Sequence, residues 1–298
     1  MLQGKKGAVV ITGTSTGVGR ATALLLDKQG YRVFAGVRQE KDAESLKQSA
    51  SGNLTPILLD ITNAEQIQEA REIVWRAIGD RELVGLVNNA GIAVDGPLEF
   101  IAIANLRRQF EVDVIGQIAV TQAFLPMLRK AKGRIINMSS EAGIAALPFF
   151  SALSASKFAL EALTDSLRME LKPWGIEVVS ILPGPINTEV SDKVQANYHK
   201  TLANMSPSAK VLYGNNHKSF MEKVVEYNRK GMPPERVAGA ILEALEASKP
   251  KRHYFVGLNK LFLICHKLLP HRVFYNISYA IMQKDMGLDN NSISSDLA

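Results

Sequence analysis

Short apolar runs alternate with segments of helical spacing from residue 7 to residue 182, and this alternation leaves the chain few folds to choose from. The runs lie at residues 7–12, 31–37, 54–59, 83–88, 134–139 and 176–182. Helices are expected over 17–29, 103–130 and 151–172, and after the third run, where Ile67, Ala70, Val74 and Ala77 recur at helical spacing. Strands this apolar need cover on both faces, which implies a parallel sheet between two helical layers. Right-handed crossovers then make it a doubly wound, Rossmann-type α/β fold. The chain reads as one domain over 1–298: a core at 5–184, a polar and mixed segment at 185–232, and a C-terminal extension at 233–288. Within the extension, a helix starts at Pro233-Pro234-Glu235 and runs to about Ala247, and a short strand follows near 253–256. The polar tail from Asp289 to Ala298 is expected to fray.

With 298 residues, 46% of them hydrophobic, the chain can bury a large core without staples. Its one cysteine, Cys265, excludes an internal disulfide framework, so a reducing, cytoplasmic setting is expected. The N-terminus lacks the apolar run of a signal peptide, and no stretch of about 18 apolar residues suggests a membrane span. Net charge is +6, yet the chain carries no recognised nucleic-acid motif, so no nucleic-acid partner is expected.

The turn after the first strand, Thr12-Gly13-Thr14-Ser15-Thr16-Gly17-Val18-Gly19, opens the first helix. Glycines there let the backbone approach a pyrophosphate, and the helix N-terminus meets its charge. Arg38 closes the second strand, where an adenosine ribose should lie. A carboxylate at that point would repel a 2′-phosphate and arginine attracts it, so NADP(H) is expected over NAD(H). Asp60 ends the third strand, where it suits either the adenine amino group or the N-cap of the next helix. No His or Cys stands near these motifs, so no metal is expected.

With Thr12-Gly13-xxx-Gly17-x-Gly19, Asn88-Asn89-Ala90-Gly91, Ser140, Lys157 and Pro183-Gly184 in this order, the chain resembles the classical short-chain dehydrogenase/reductase family. The resemblance covers roughly residues 5–190, and the strand end Ala35-Gly36-Val37-Arg38 is similar to the branch acting on steroids and retinoids. It implies that Gly13, Ser15, Thr16, Gly17, Val18 and Gly19 form the phosphate turn, with Ile61 beside Asp60 at the adenosine end. Asn88 would steady the central strand, while Asn89, Ala90 and Gly91 pass the ribose. Pro183, Gly184, Ile186 and Thr188 would meet the nicotinamide. Ser140 would hold the substrate oxygen and Lys157 the nicotinamide ribose. A homodimer or homotetramer through the 103–130 and 151–172 helices is also implied.

Two positions depart from that pattern. Leu153, 13 residues after Ser140 and one helical turn before Lys157, stands where the family carries its catalytic tyrosine. Asp113 stands where the family uses an asparagine to hold a relay water. An ionised Asp113 accepts hydrogen bonds but donates none, and pairing with Lys157 is one option for it. A positioned general acid supplies about 10²–10⁴-fold, while orienting the reactants, a separate contribution, survives its loss. The expected function is therefore an NAD(P)(H)-dependent oxidoreductase acting on a small hydrophobic alcohol or carbonyl, with altered proton delivery. The alternatives are a nucleotide-binding protein without turnover and a non-redox enzyme in the same pocket.

The 185–232 segment scatters Tyr198, Met205, Tyr213, Phe220, Met221 and Tyr227 among polar residues and reads as a substrate lid. From residue 251 on, apolar and aromatic residues interleave with Lys251, Arg252, His253, Lys260, Lys267 and Arg272. That composition suits packing over the pocket or against another subunit, and also peripheral contact with a membrane.

Overall fold

In the six strands up to residue 183, successive side chains point to opposite faces and most are buried, the third strand least. The computed structural model describes residues 6–79, 82–188 and 190–286; the tail from Asp289 lies outside them. Strand β1 (Ala8–Ile11) leads into α1 (Gly17–Lys28), β2 (Arg32–Val37), α2 (Glu40–Ser49), β3 (Leu54–Leu58), α3 (Ala64–Ile78) and β4 (Leu83–Asn88). Helices α4 (Ile103–Phe110) and α5 (Gln117–Ala131) precede β5 (Arg134–Met138), α6 (Ser151–Leu171) and β6 (Glu177–Pro183). After these come α7 (Val190–Asn204), α8 (Pro207–Arg229), α9 (Pro234–Glu246), β7 (His253–Val256), α10 (Lys260–Leu268) and α11 (His271–Met286).

The seven strands form one sheet in the order β3-β2-β1-β4-β5-β6-β7, and every pair is parallel. The strand order reverses between β1 and β4, which opens a crevice at their carboxyl ends. Alternation divides the core. Val9 and Ile11 face α1 and α9 through Ala23, Leu26, Val237 and Ile241. Ala8 and Val10 face α3 and α5 through Ile67, Val74, Val120 and Phe124. The expected doubly wound sheet is the one observed.

Three expectations need correction. The single helix over 103–130 is broken by a π turn at Glu111–Gly116. Gly116 lies so close to the Ile61 carbonyl that a Cβ would come within 2.7 Å of that oxygen, and the widened turn accommodates this contact. The 185–232 segment, polar and mixed in sequence, is largely a pair of helices, α7 and α8, in contact with each other. Its apolar positions Phe220, Met221 and Val224 follow His217 at helical spacing, and they bury one face. Asp60 does not cap α3; the Asn63 side chain does, accepting from Gln66 N at 3.1 Å. Helix α2 appears where no helix was singled out, because it buries only Leu46 and so carries almost no apolar period.

Candidate active site

The turn between β1 and α1 is held from behind by side chains. Thr12 Oγ1 accepts from both Asn89 N and Ala90 N at 3.0 Å. The Asn89 amide donates to Thr12 O and Gly13 O at 2.9 Å each. Thr14 Oγ1 donates to Gly36 O at 3.0 Å, which ties the turn to β2. Gly13 has φ +70°, and a Cβ there would sit 2.7 Å from Ala90 Cα. A Cβ on Gly19 would sit 2.2 Å from Gly13 O. These contacts leave a turn of bare backbone, with Ser15, Thr16, Gly17 and Val18 partly exposed along it and no acidic residue in the first turn of α1. An anion such as a pyrophosphate fits this end by shape and charge.

Arg38 is exposed at the end of β2, and its charge acts on Asp60 together with that of Arg108. The Asp60 carboxyl lies below its ordinary pKa even though burial opposes this, because Thr62 donates to it twice and the two arginines lie near. Ile61 is buried beside it. At the far side of the crevice, the segment from Pro183 to Thr188 is pinned by Gly184 N to Val256 O at 2.9 Å and Asn187 N to Met232 O at 2.8 Å, with Ile186 bridged to Met232.

The segment after β4 is clamped by three helix side chains, of which the sequence marked only Asp113. Gln117 donates to Ala90 O. Gln109 accepts from Val94 N at 2.9 Å and donates to Ile92 O at 3.0 Å. Asp113 Oδ1 accepts from Ile92 N at 2.9 Å. Below this, Asn88 donates to Thr121 and Asn137, and Asn137 donates to Thr164, a buried ladder joining β4, β5, α5 and α6. Mid-helix glutamines and threonines look solvent-facing in a sequence, and nothing in their spacing singles them out.

Lys157 Nζ donates to Met138 O at 3.0 Å, and it lies 3.0 Å from Asp113 Oδ2, off the hydrogen-bonding axis. The Asp113 side chain is fully buried and that of Lys157 nearly so. The pairing weighed for Asp113 is therefore present. Ser140 Oγ accepts from Ala142 N at 3.1 Å, which caps a short turn and occupies one lone pair of the hydroxyl. Its neighbour Glu141 is pushed up from 4.5 to about 7 by burial; burial, and after it the charge of Glu141, raises the Tyr227 phenol of α8.

Leu153, one turn before Lys157 on α6, packs against the lid cluster of Phe150, Tyr198, Phe220, Met221 and Val225. Phe149 holds φ 60°, rare for a non-glycine residue. Its carbonyl accepts from Gly96 N at 2.8 Å, and its ring meets Phe220 and His217. His217 is fully buried, 3.0 Å from Asp95 Oδ2. The result is a polar floor at the strand ends beneath an apolar, aromatic roof. Among the described residues, no group of His, Cys, Asp and Glu could hold a metal ion.

A parallel sheet with a glycine turn at its order reversal and a buried lysine beside the neighbouring strand end defines a Rossmann-type oxidoreductase scaffold. The short chain dehydrogenase family profile matches residues 7–199, and the chain belongs to that family. It is 35% identical over 281 residues to the NADPH-dependent 3-dehydrocapnine reductase of Ornithobacterium rhinotracheale, covering 92% of this chain and 97% of that one. It is 35% identical to Retinol dehydrogenase 5 of Mus musculus, over 89% of this chain and 85% of the relative. A short chain dehydrogenase from Burkholderia cenocepacia, solved in complex with NADP, superposes with TM-score 0.69 at 28% identity, covering 92% and 97% of the two chains.

Proposed function

We propose that this protein is an NADP(H)-dependent oxidoreductase that interconverts a lipophilic alcohol and its carbonyl, with a proton route that uses no phenol beside Lys157. The observation that carries this reading is the pairing of a retained polar floor, Ser140 and buried Lys157, with an apolar wall that includes Leu153. The bound nicotinamide would supply hydride chemistry. Gly13 to Gly19 would hold its pyrophosphate, and Arg38 the 2′-phosphate. Asn89, Ala90 and Gly91 would border the ribose, and Pro183, Gly184, Ile186 and Thr188 the nicotinamide. Relatives named for NADPH and for retinol support the cofactor and the substrate class.

Leu153 occupies the position of the family's tyrosine and has no proton to give. Asp113 takes up the Lys157 ammonium from the side where a relay water would sit. Ser140 then polarises the substrate oxygen and passes a proton from water. The test is NADPH consumption with a panel of lipophilic carbonyls, with Leu153→Tyr run alongside, and calorimetry of NADPH against NADH. Turnover by the parent supports the reading. A silent parent with an active Leu153→Tyr supports the second reading, a nucleotide-binding protein without turnover, which the Asp113–Lys157 pair favours. No heat from either nucleotide overturns both. Self-association through α6 is part of the proposal: Phe158 and Met169 leave that helix with an exposed apolar face.

A further inference from the structure

Between Ala247 and Lys284 the chain has seven lysines and arginines and no carboxylate. Removing those seven from the total of 35 leaves 28 cations against 29 carboxylates, so this stretch alone accounts for the net charge of +6. The same stretch keeps apolar side chains in solvent. Leu261 (65% exposed), Ile264 and Leu268 (73%) lie at i, i+3 and i+7 on α10. Val273, Ile277 and Ile281 lie at i, i+4 and i+8 on α11. Each set forms one stripe along its helix. Other positions hold the pair to the protein: Phe274 is buried, Met282 packs on the lid cluster, and Tyr275 Oη accepts from Ala146 N at 2.9 Å.

These outward stripes therefore remain uncovered after the helices have made their inward contacts. Lys267, Arg272 and Lys284 are exposed on the same two helices. Among the described residues no helix is long and apolar enough to cross a membrane, so the stripes can enter only the headgroup region. We propose that α10 and α11 dock this protein on an anionic lipid surface. Charge complementarity selects that partner: apolar stripes flanked by cations, with no carboxylate before Asp285 at the end of α11, match acidic headgroups. The rest of the chain is almost neutral, so a second copy offers no comparable counter-charge. If the proposed function holds, docking also sets the lid cluster beside the phase in which a lipophilic substrate dissolves.

The test is co-sedimentation of the full chain with phosphatidylcholine vesicles, with and without phosphatidylserine, at low and high salt. Binding to the phosphatidylserine vesicles, reversed by salt, is expected. Lys267→Gln with Arg272→Gln should weaken it about 30-fold, at about 1 kcal/mol per basic residue. Ile264→Ser with Leu268→Ser should weaken it further. All four positions are exposed, and an unchanged melting temperature checks the fold. Absence of binding at low salt, or equal binding to neutral vesicles, overturns the proposal. Self-association that Ile264→Ser and Leu268→Ser abolish, without vesicle binding, would assign the face to a second copy instead. Vesicle binding by a chain that reduces no carbonyl leaves docking standing and removes only the proposed function.

Discussion

The glycine-turn half of the site and its lid half are built by different means. Around β1 and β4, shape comes from hydrogen bonds: Thr12, Asn89, Gln109 and Gln117 each satisfy backbone groups of a neighbouring segment. Under α7 and α8, shape comes from packed rings and aliphatic side chains, with Asp95 and His217 the main polar pair inside. Hydrogen-bonded loops hold one conformation or lose it outright, whereas apolar clusters can repack around a ligand. A fixed cradle under an adaptable roof is the division that the proposed function calls for.

The sharpest probe of that division is Leu153→Tyr, which puts a phenol at the seam. If the roof accommodates the ring and Lys157 can act on it, turnover should rise by about 10²–10⁴-fold, measured as NADPH oxidation. The gain should be larger with Asp113→Asn present, since that change releases the lysine. Comparable in energy, Asp113→Ala strands a buried ammonium and should cost about 3–5 kcal/mol in chemical denaturation, with Asp113→Asn costing less. Phe220→Ala should cost about 3–5 kcal/mol by cavity formation yet leave NADPH affinity close to the parent's. Parallel loss of affinity would show that the two halves are not separable.

A smaller effect is expected from pH. Glu141 binds its proton more tightly folded than unfolded, since its pKa rises from 4.5 to about 7. Its contribution is therefore intact below about pH 4.5, falls as pH climbs to about 7, and ends up to about 3 kcal/mol lower above that. Glu141→Gln should remove this slope from melting curves taken across the range. Smallest is Arg38→Asp, which should reduce the NADPH-over-NADH preference by about tenfold, near 1.4 kcal/mol, read by calorimetry.

How much was legible follows the same division. The strands matched their apolar runs to within a residue or two, because a strand buried on both faces admits little else. The glycine turn and Lys157 could be placed because their chemistry tolerates few residue types. Asp113 was suspected as a partner of Lys157, but the π turn that carries it was hidden, since Glu111 to Gly116 continues a helical period. Gln109, Gln117 and Asn137 were missed because polar residues bonded to distant backbone leave no period in sequence. The lid helices were read as mixed, because a helix covering one small cluster needs only a narrow apolar stripe among polar neighbours.

Asn89 gives the cradle a kinetic character. Its amide grips the carbonyls of Thr12 and Gly13 using protein atoms alone, so the bare turn keeps its form between visits of a ligand. Under the proposed function, arrival of a dinucleotide would then require little ordering of the chain, and most of its contact energy would survive as affinity. Stopped-flow mixing should record one fast exponential, and Asn89→Ala should add a slower phase as the slackened loop finds its shape only after the encounter.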